Sequence, residues 1–172
     1  PPNTEEQIAR EFDNRLENMG RKGSFVSIGG AWAEVANTPL SYYKFTTYEG
    51  GTRTPLITAG PGVHRRGVDT RQLLHVTDLV PTLLDVAGVE RPVARDGKPF
   101  MPLYGRSLAP FLSLASQAPV RTDDDALGFE MVECKAIIKG AWKLVCMAPK
   151  PGEAEDWKLY QLDDDPRELD DL

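Results

Sequence analysis

A chain of 172 residues with 41% hydrophobic content can bury roughly 70% of the surface its unfolded form exposes, so one domain with a real core is the default. Its 20 Lys and Arg against 26 Asp and Glu leave a formal charge of -6, with no basic stripe interleaved with aromatics, which argues against a nucleic-acid partner. No apolar run approaches the roughly 18 residues that span a bilayer, and the opening Pro1-Pro2-Asn3 has neither a methionine nor a charged-then-apolar leader, so the chain reads as soluble and as a processed or excised product.

Residues 4–7 fit a capping box, with the Thr4 hydroxyl able to reach the third helical amide and Gln7 able to reach back. Ile8, Phe12 and Leu16 recur at helical spacing and Gly20 suits a left-handed stop, which predicts an amphipathic helix over 5–19. Glycines and prolines are then too dense over 21–55 for long regular elements, apart from a short helical turn around Trp32. A loop of that length is uncommon and is often functional.

Within it lies Tyr42-Tyr43-Lys44-Phe45-Thr46-Thr47-Tyr48-Glu49-Gly50-Gly51-Thr52-Arg53-Thr54-Pro55. The two adjacent glycines let the backbone take φ > 0 and approach a neighbour or ligand closely, and a cation beside such a loop can hold an anion. The four aromatics read as packing anchors. Glu49 and Arg53 are spaced to pair and brace the loop without touching substrate.

Leu56-Ile57-Thr58-Ala59, bounded by Pro55 and Gly60, has the form of a short strand buried on both faces of a parallel sheet. Asp78 makes a good N-cap for a helix that ends at Gly88, with Pro81 in its first turn. The stretch 89–119 reads as irregular. Periodicity then becomes strand-like: 135–138 and 142–146 flank a short Lys139-Gly140-Ala141 connection that favours a hairpin, and 157–162 adds a third strand. Asp163-Asp164-Asp165-Pro166 is a turn, and 167–172 reads as a helix start that the end of the chain cuts short.

Several segments in fixed order resemble bacterial arylsulfatases, type I sulfatases of the alkaline-phosphatase-like superfamily. They are 12–20, the lysine and Gly-Gly loop, Asp78-Leu79-Val80-Pro81-Thr82-Leu83-Leu84-Asp85-Val86-Ala87-Gly88, and the ending Gly140-Ala141-Trp142-Lys143-Leu144 with Leu159-Tyr160-Gln161-Leu162-Asp163-Asp164-Asp165-Pro166. The resemblance implies the C-terminal portion of an α/β sandwich with a small antiparallel β subdomain. It divides the chain into 1–118, the end of the catalytic α/β domain, and 119–172, the antiparallel subdomain. It further implies hydrolysis of a sulfate ester by a formylglycine nucleophile with calcium beside it, both in the complete enzyme and neither expected on this fragment. Lys44 would bind the sulfate group, as the one catalytic and substrate-binding residue carried over.

Other candidates read as structural. Cys146-Met147-Ala148-Pro149-Lys150 approximates the formylglycine motif but ends in Lys where the motif has Arg. Asp13-Asn14 mimics a calcium-binding pair but falls in the first helix. Asp123-Asp124-Asp125 and Asp163-Asp164-Asp165 lack EF-hand spacing. His64 and His75, without companion ligands, do not make a zinc site. Cys134 and Cys146 flank the hairpin where a disulfide is conceivable, with core thiols the default.

The expected partners are a sulfate-ester substrate and the N-terminal part of the same enzyme, with no membrane and with self-association of the fragment open. The compartment, cytoplasmic or periplasmic, stays undetermined. Two alternatives remain: a phosphodiesterase or phosphonate monoester hydrolase of the same superfamily, and a noncatalytic assembly module.

Overall fold

A computed structural model describes residues 4–67 and 70–172; the opening Pro1-Pro2-Asn3 lies outside the described residues. Thr4 is extended and its hydroxyl accepts the Gln7 N–H at 3.1 Å, starting α1 (Glu5–Glu11) with two glutamates in the first turn. The helix stops well short of the predicted 5–19 span. Phe12 turns extended, Asp13 N–H donates to the Gly23 carbonyl at 2.9 Å, and Asn14 Oδ1 accepts the Phe25 N–H at 2.7 Å. These bonds close 12–25 into a loop carrying a 3-10 turn (Leu16–Asn18), and Leu16 is left 79% exposed. Asp13 and Asn14 therefore lie in that loop and not in a helix.

Next come α2 (Gly29–Ala36), which takes in the turn predicted around Trp32, and α3 (Glu49–Thr52). The stretch 56–59, expected as a buried parallel strand, joins no ladder among the described residues, and Ile57 is 91% exposed. A parallel strand is stabilised by neighbours and by layers on both faces, and neither is supplied here.

Helix α4 (Leu79–Ala87) follows a 3-10 turn at Val76–Asp78 and ends at Gly88 as predicted, with that glycine left-handed at φ 64° and Val89 N–H on the Leu84 carbonyl at 3.0 Å. The region 89–119 is less irregular than expected. It holds a two-residue hairpin, β1 (Ala94–Arg95) with β2 (Lys98–Pro99), around Asp96-Gly97, and the short α5 (Ala109–Leu112). Leu108, Phe111 and Leu112 form one small core with Val63, Leu74 and Val120.

The predicted meander is present with one strand more than foreseen. Strands β3 (Ala126–Met131), β4 (Cys134–Lys139), β5 (Trp142–Cys146) and β6 (Trp157–Gln161) pair antiparallel in sequence order. Ala136 opposite Val145 and Lys143 opposite Tyr160 line the buried face. Cys146 lies opposite Lys135, so it shares that residue's face, while Cys134, one position earlier, faces the other way. Both thiols are free and buried, and the register removes the conceivable disulfide.

The helix start predicted at 167–172 does not form. Glu168 takes φ 54°, Asp165 Oδ2 accepts the N–H groups of Leu169 and Asp170 at 2.7 and 3.0 Å, and Leu172 N–H reaches the Leu159 carbonyl at 3.1 Å. Backbone groups that a helix would pair internally run instead along the open edge of β6.

Candidate functional site

Lys44 stands exposed on the loop between α2 and α3, its Nζ 5.1 Å from the centroid of the Phe45 ring. The loop is held in a conformation its residues would not choose alone. Tyr42 and Phe45 take φ 62° and 74°, in the left-handed region that costs L-residues about 1–2 kcal/mol each. Such conformations persist where surroundings over-determine them.

The surroundings here are specific. Asn37 Nδ2 donates to the carbonyls of Tyr42 and Gly50 at 3.1 and 3.2 Å, and Gly50 N–H donates to the Ser41 carbonyl at 2.9 Å. Thr46 Oγ1 donates to the Tyr43 carbonyl at 2.9 Å, and Thr47 Oγ1 to the Lys135 carbonyl on β4 at 3.1 Å.

Gly50 and Gly51 explain themselves by the second of the two expected reasons. Both sit in α3 and neither has positive φ. A Cβ on Gly50 would lie 2.1 Å from the Tyr42 carbonyl oxygen, and one on Gly51 2.2 Å from that of Thr46. The loop folds back onto its own following helix so tightly that only hydrogen fits. Of the aromatics read as anchors, Tyr48 is buried in the meander core with Ala136, Val145 and Tyr160, and the Tyr42 ring packs on it at 4.6 Å. Phe45 is 60% exposed and anchors nothing.

Beneath the loop is a buried charge cluster that sequence reading missed. Lys143 on β5 is fully buried, its Nζ 2.8 Å from Glu49 Oε1 and 2.9 Å from Glu168 Oε1. Glu168 Oε2 accepts the Glu49 N–H at 2.5 Å, and Arg53 pairs with Glu49 at 3.6 Å, the bracing expected of that pair. Two carboxylates thus meet two cations. Burial raises the Glu168 acid above the ordinary carboxylate range, against the pull of the Lys143 ammonium. Burial and the Tyr160 hydroxyl likewise hold the Tyr48 phenol high.

A second buried pair organises the other core. Asp78, fully buried, is gripped by both Arg121 guanidinium nitrogens and accepts the N–H groups of His75 and Arg106, each at 2.8 Å. Burial alone would raise this carboxyl; the Arg121, Arg106 and His75 hydrogen bonds outweigh it and hold the group low. The predicted N-cap therefore serves the 3-10 turn and the 104–108 segment, and its side chain does not cap α4. His75 Nδ1 lies 2.8 Å from Thr77 Oγ1 and His64 Nδ1 3.1 Å from the Ser113 carbonyl, so each ring has a structural partner.

The described residues do not fit the groups implied by the sequence resemblance. No cluster of three His, Cys, Asp or Glu among them could hold a metal ion. Asp13 is taken by the Arg15 guanidinium and Asn14 by the Phe25 amide. Cys146 is fully buried with Sγ 3.3 Å from the Met147 carbonyl, closed to any substrate.

The loop and all of its named supports except Asn37 fall inside one recognisable unit. Residues 41–172 match the family described as N-sulphoglucosamine sulphohydrolase, C-terminal. The chain belongs to this sulfatase C-terminal family. The matched span takes in Lys44, Glu49, Lys143 and Glu168 and leaves α1 and α2 outside. Individual sulfatases agree with that placement. An arylsulfatase of Klebsiella aerogenes is 42% identical over 101 residues, 58% of this chain and 22% of its own. An uncharacterised sulfatase of Schizosaccharomyces pombe is 33% identical across 94% of this chain and 29% of its own. Arylsulfatase K of Xenopus laevis is 27% identical, covering 92% and 30%. A solved structure titled as a complex with its substrate D-glucosamine-2-N,6-O-disulfate is 25% identical with a TM-score of 0.38, over 55% of this chain and 18% of that one. The chain thus spans less than a third of the length of these sulfatases.

Proposed function

We propose that these residues form the C-terminal portion of a sulfuric ester hydrolase acting on sulfate esters, aryl sulfates among them, in which Lys44 binds the sulfate group. Membership of the sulfatase C-terminal family supports the reaction class. The observation that carries the role of Lys44 is its position: an exposed ammonium on a loop fixed at both ends by the segment that follows β6. A lysine suits the task because its compact ammonium meets sulfate oxygens as a point charge from several directions. Held in place before substrate arrives, it stabilises charge that grows on those oxygens in the transition state without reorganising. One such donor contributes about 2.7–4 kcal/mol.

On this reading the formylglycine nucleophile and calcium belong to chain beyond these residues, whose own chemistry is to bind and orient. The test compares kcat/KM of the complete enzyme for 4-nitrophenyl sulfate and 4-nitrophenyl phosphate, which share a leaving group. The sulfate is expected to give the higher kcat/KM. Preference for the phosphate overturns the substrate class in favour of a phosphoryl hydrolase.

A further inference from the structure

The segment 163–172 runs back along β6 and touches the Lys44 loop at both ends. Ser41 Oγ, three residues before Lys44, donates to the Arg167 carbonyl at 2.5 Å. Five residues after Lys44, the Glu49 N–H donates to Glu168 Oε2 at 2.5 Å. Glu168 is itself fixed twice. Its Oε1 faces Lys143 Nζ at 2.9 Å in a site closed to solvent, and its backbone is left-handed, within the turn that Asp165 Oδ2 ties down. A buried glutamate at positive φ is unfavourable twice over; its Oε1 answers the buried Lys143 ammonium of β5, but the sheet itself asks nothing of its Oε2. What the carboxylate does hold is the first backbone N–H of α3, at the point where the loop turns.

We infer that Glu168, seated on Lys143, is a positioning residue for Lys44. Together with the Ser41 contact it fixes the two feet of the 41–49 loop, so that the ammonium is presented at one place. Between these feet, Tyr42 and Phe45 are kept left-handed and the loop lies on Gly50 and Gly51. Releasing either foot lets the loop relax and the ammonium wander, and a misplacement of about 1 Å can cost about 10²-fold in rate. This inference rests on the proposed sulfate-binding role of Lys44.

The test is a double-mutant cycle in the complete enzyme with Glu168→Gln and Lys44→Ala, read as kcat/KM for an aryl sulfate and as thermal midpoint. Glu168→Gln keeps shape and one acceptor oxygen while removing the charge that anchors it. It is expected to lower kcat/KM about tenfold or more in the Lys44 enzyme and less than about twofold in the Lys44→Ala enzyme, with the same change in thermal midpoint in both backgrounds. Equal fold losses in both backgrounds mean that Glu168 acts on the fold at large and overturn the inference. Wild-type kcat/KM in Lys44→Ala alone overturns instead the sulfate-binding role on which the inference stands. If Glu168→Gln does not fold, Ser41→Ala, at the other foot, decides by the same cycle: a loss confined to the Lys44 background supports the inference, and an equal loss or none overturns it.

Discussion

At the scale of single residues, the chain places its strongest electrostatics where no solvent reaches. Asp78 with Arg121, and Lys143 between Glu49 and Glu168, are buried pairs; four hydrogen bonds meet the Asp78 carboxylate, while that of Glu168 accepts one, from the Glu49 N–H, beside its 2.9 Å contact with Lys143. Breaking such a pair by removing one partner costs about 3–5 kcal/mol, because the survivor stays buried and charged. Lys143→Met is accordingly expected to lower the urea unfolding free energy of the 172-residue chain by that amount, and a change below about 1 kcal/mol would show the cluster to be solvated.

The two acids should also pull stability in opposite directions with pH. Asp78 is held low in the folded state, so its contribution is complete above the ordinary carboxylate value near 4 and is lost as pH falls through the lower folded value. Glu168 is held high by burial, so its ionisation opposes folding above the raised folded value, and that penalty is relieved as pH falls through it toward the ordinary carboxylate value near 4. Urea midpoints of the wild type relative to Glu168→Gln should therefore rise as pH falls from 7 to about 4. A flat or falling difference would contradict the raised acid.

At the scale of elements, the sheet depends on turns of unequal legibility. The β4–β5 hairpin turns on Gly140-Ala141, with Gly140 at φ 56°, and a glycine there is a readable signal. So is Asp96-Gly97 between β1 and β2, which reading 89–119 as irregular passed over. The β3–β4 turn gives no such signal: Val132 and Glu133 occupy it at φ 50° and 69°, residues that a two-residue turn does not favour. For that reason β3 was invisible in sequence. Replacing them by Asn and Gly is expected to stabilise the chain by about 1–2 kcal/mol, seen as a higher urea midpoint at unchanged slope.

Lys143 was illegible for a different reason. Alternation along Trp142-Lys143-Leu144-Val145 suggests that Trp142 and Leu144 face inward, yet they are 49% and 39% exposed while Lys143 is buried. The carboxylates that make this possible come from residues 94 positions earlier and from the segment after β6, and no local pattern carries them. The Gly-Gly loop, by contrast, was legible as a place of close approach, because hydrogen-only positions leave a mark in composition. Gly50→Ala would drive a Cβ into two backbone oxygens and is expected to dislodge the loop, visible as lost amide protection over 41–53 with β4 and β5 unchanged.

At the scale of the whole molecule, apolar surface is covered unevenly. Tyr48 packs with Ala136, Val145 and Tyr160 of the meander in one buried cluster, while Trp32, Ile57, Leu83 and Tyr104 stay mostly exposed. None of the described helices is long and apolar enough to cross a membrane. On the proposed reading the nucleophile and metal lie beyond these residues, and the 172-residue chain by itself is expected to give no turnover of an aryl sulfate.

The loop that bears Lys44 joins distant parts of the chain, since it enters from α2 and is clamped by β4, β5 and the segment after β6. The meander's contribution to function, on this account, is to hold one ammonium still. The most direct measurement is kcat/KM of the complete enzyme for an aryl sulfate with Lys44 replaced by alanine. A fall of roughly 10²-fold or more is expected from the loss of one preorganised donor, and turnover equal to wild type would contradict the assignment.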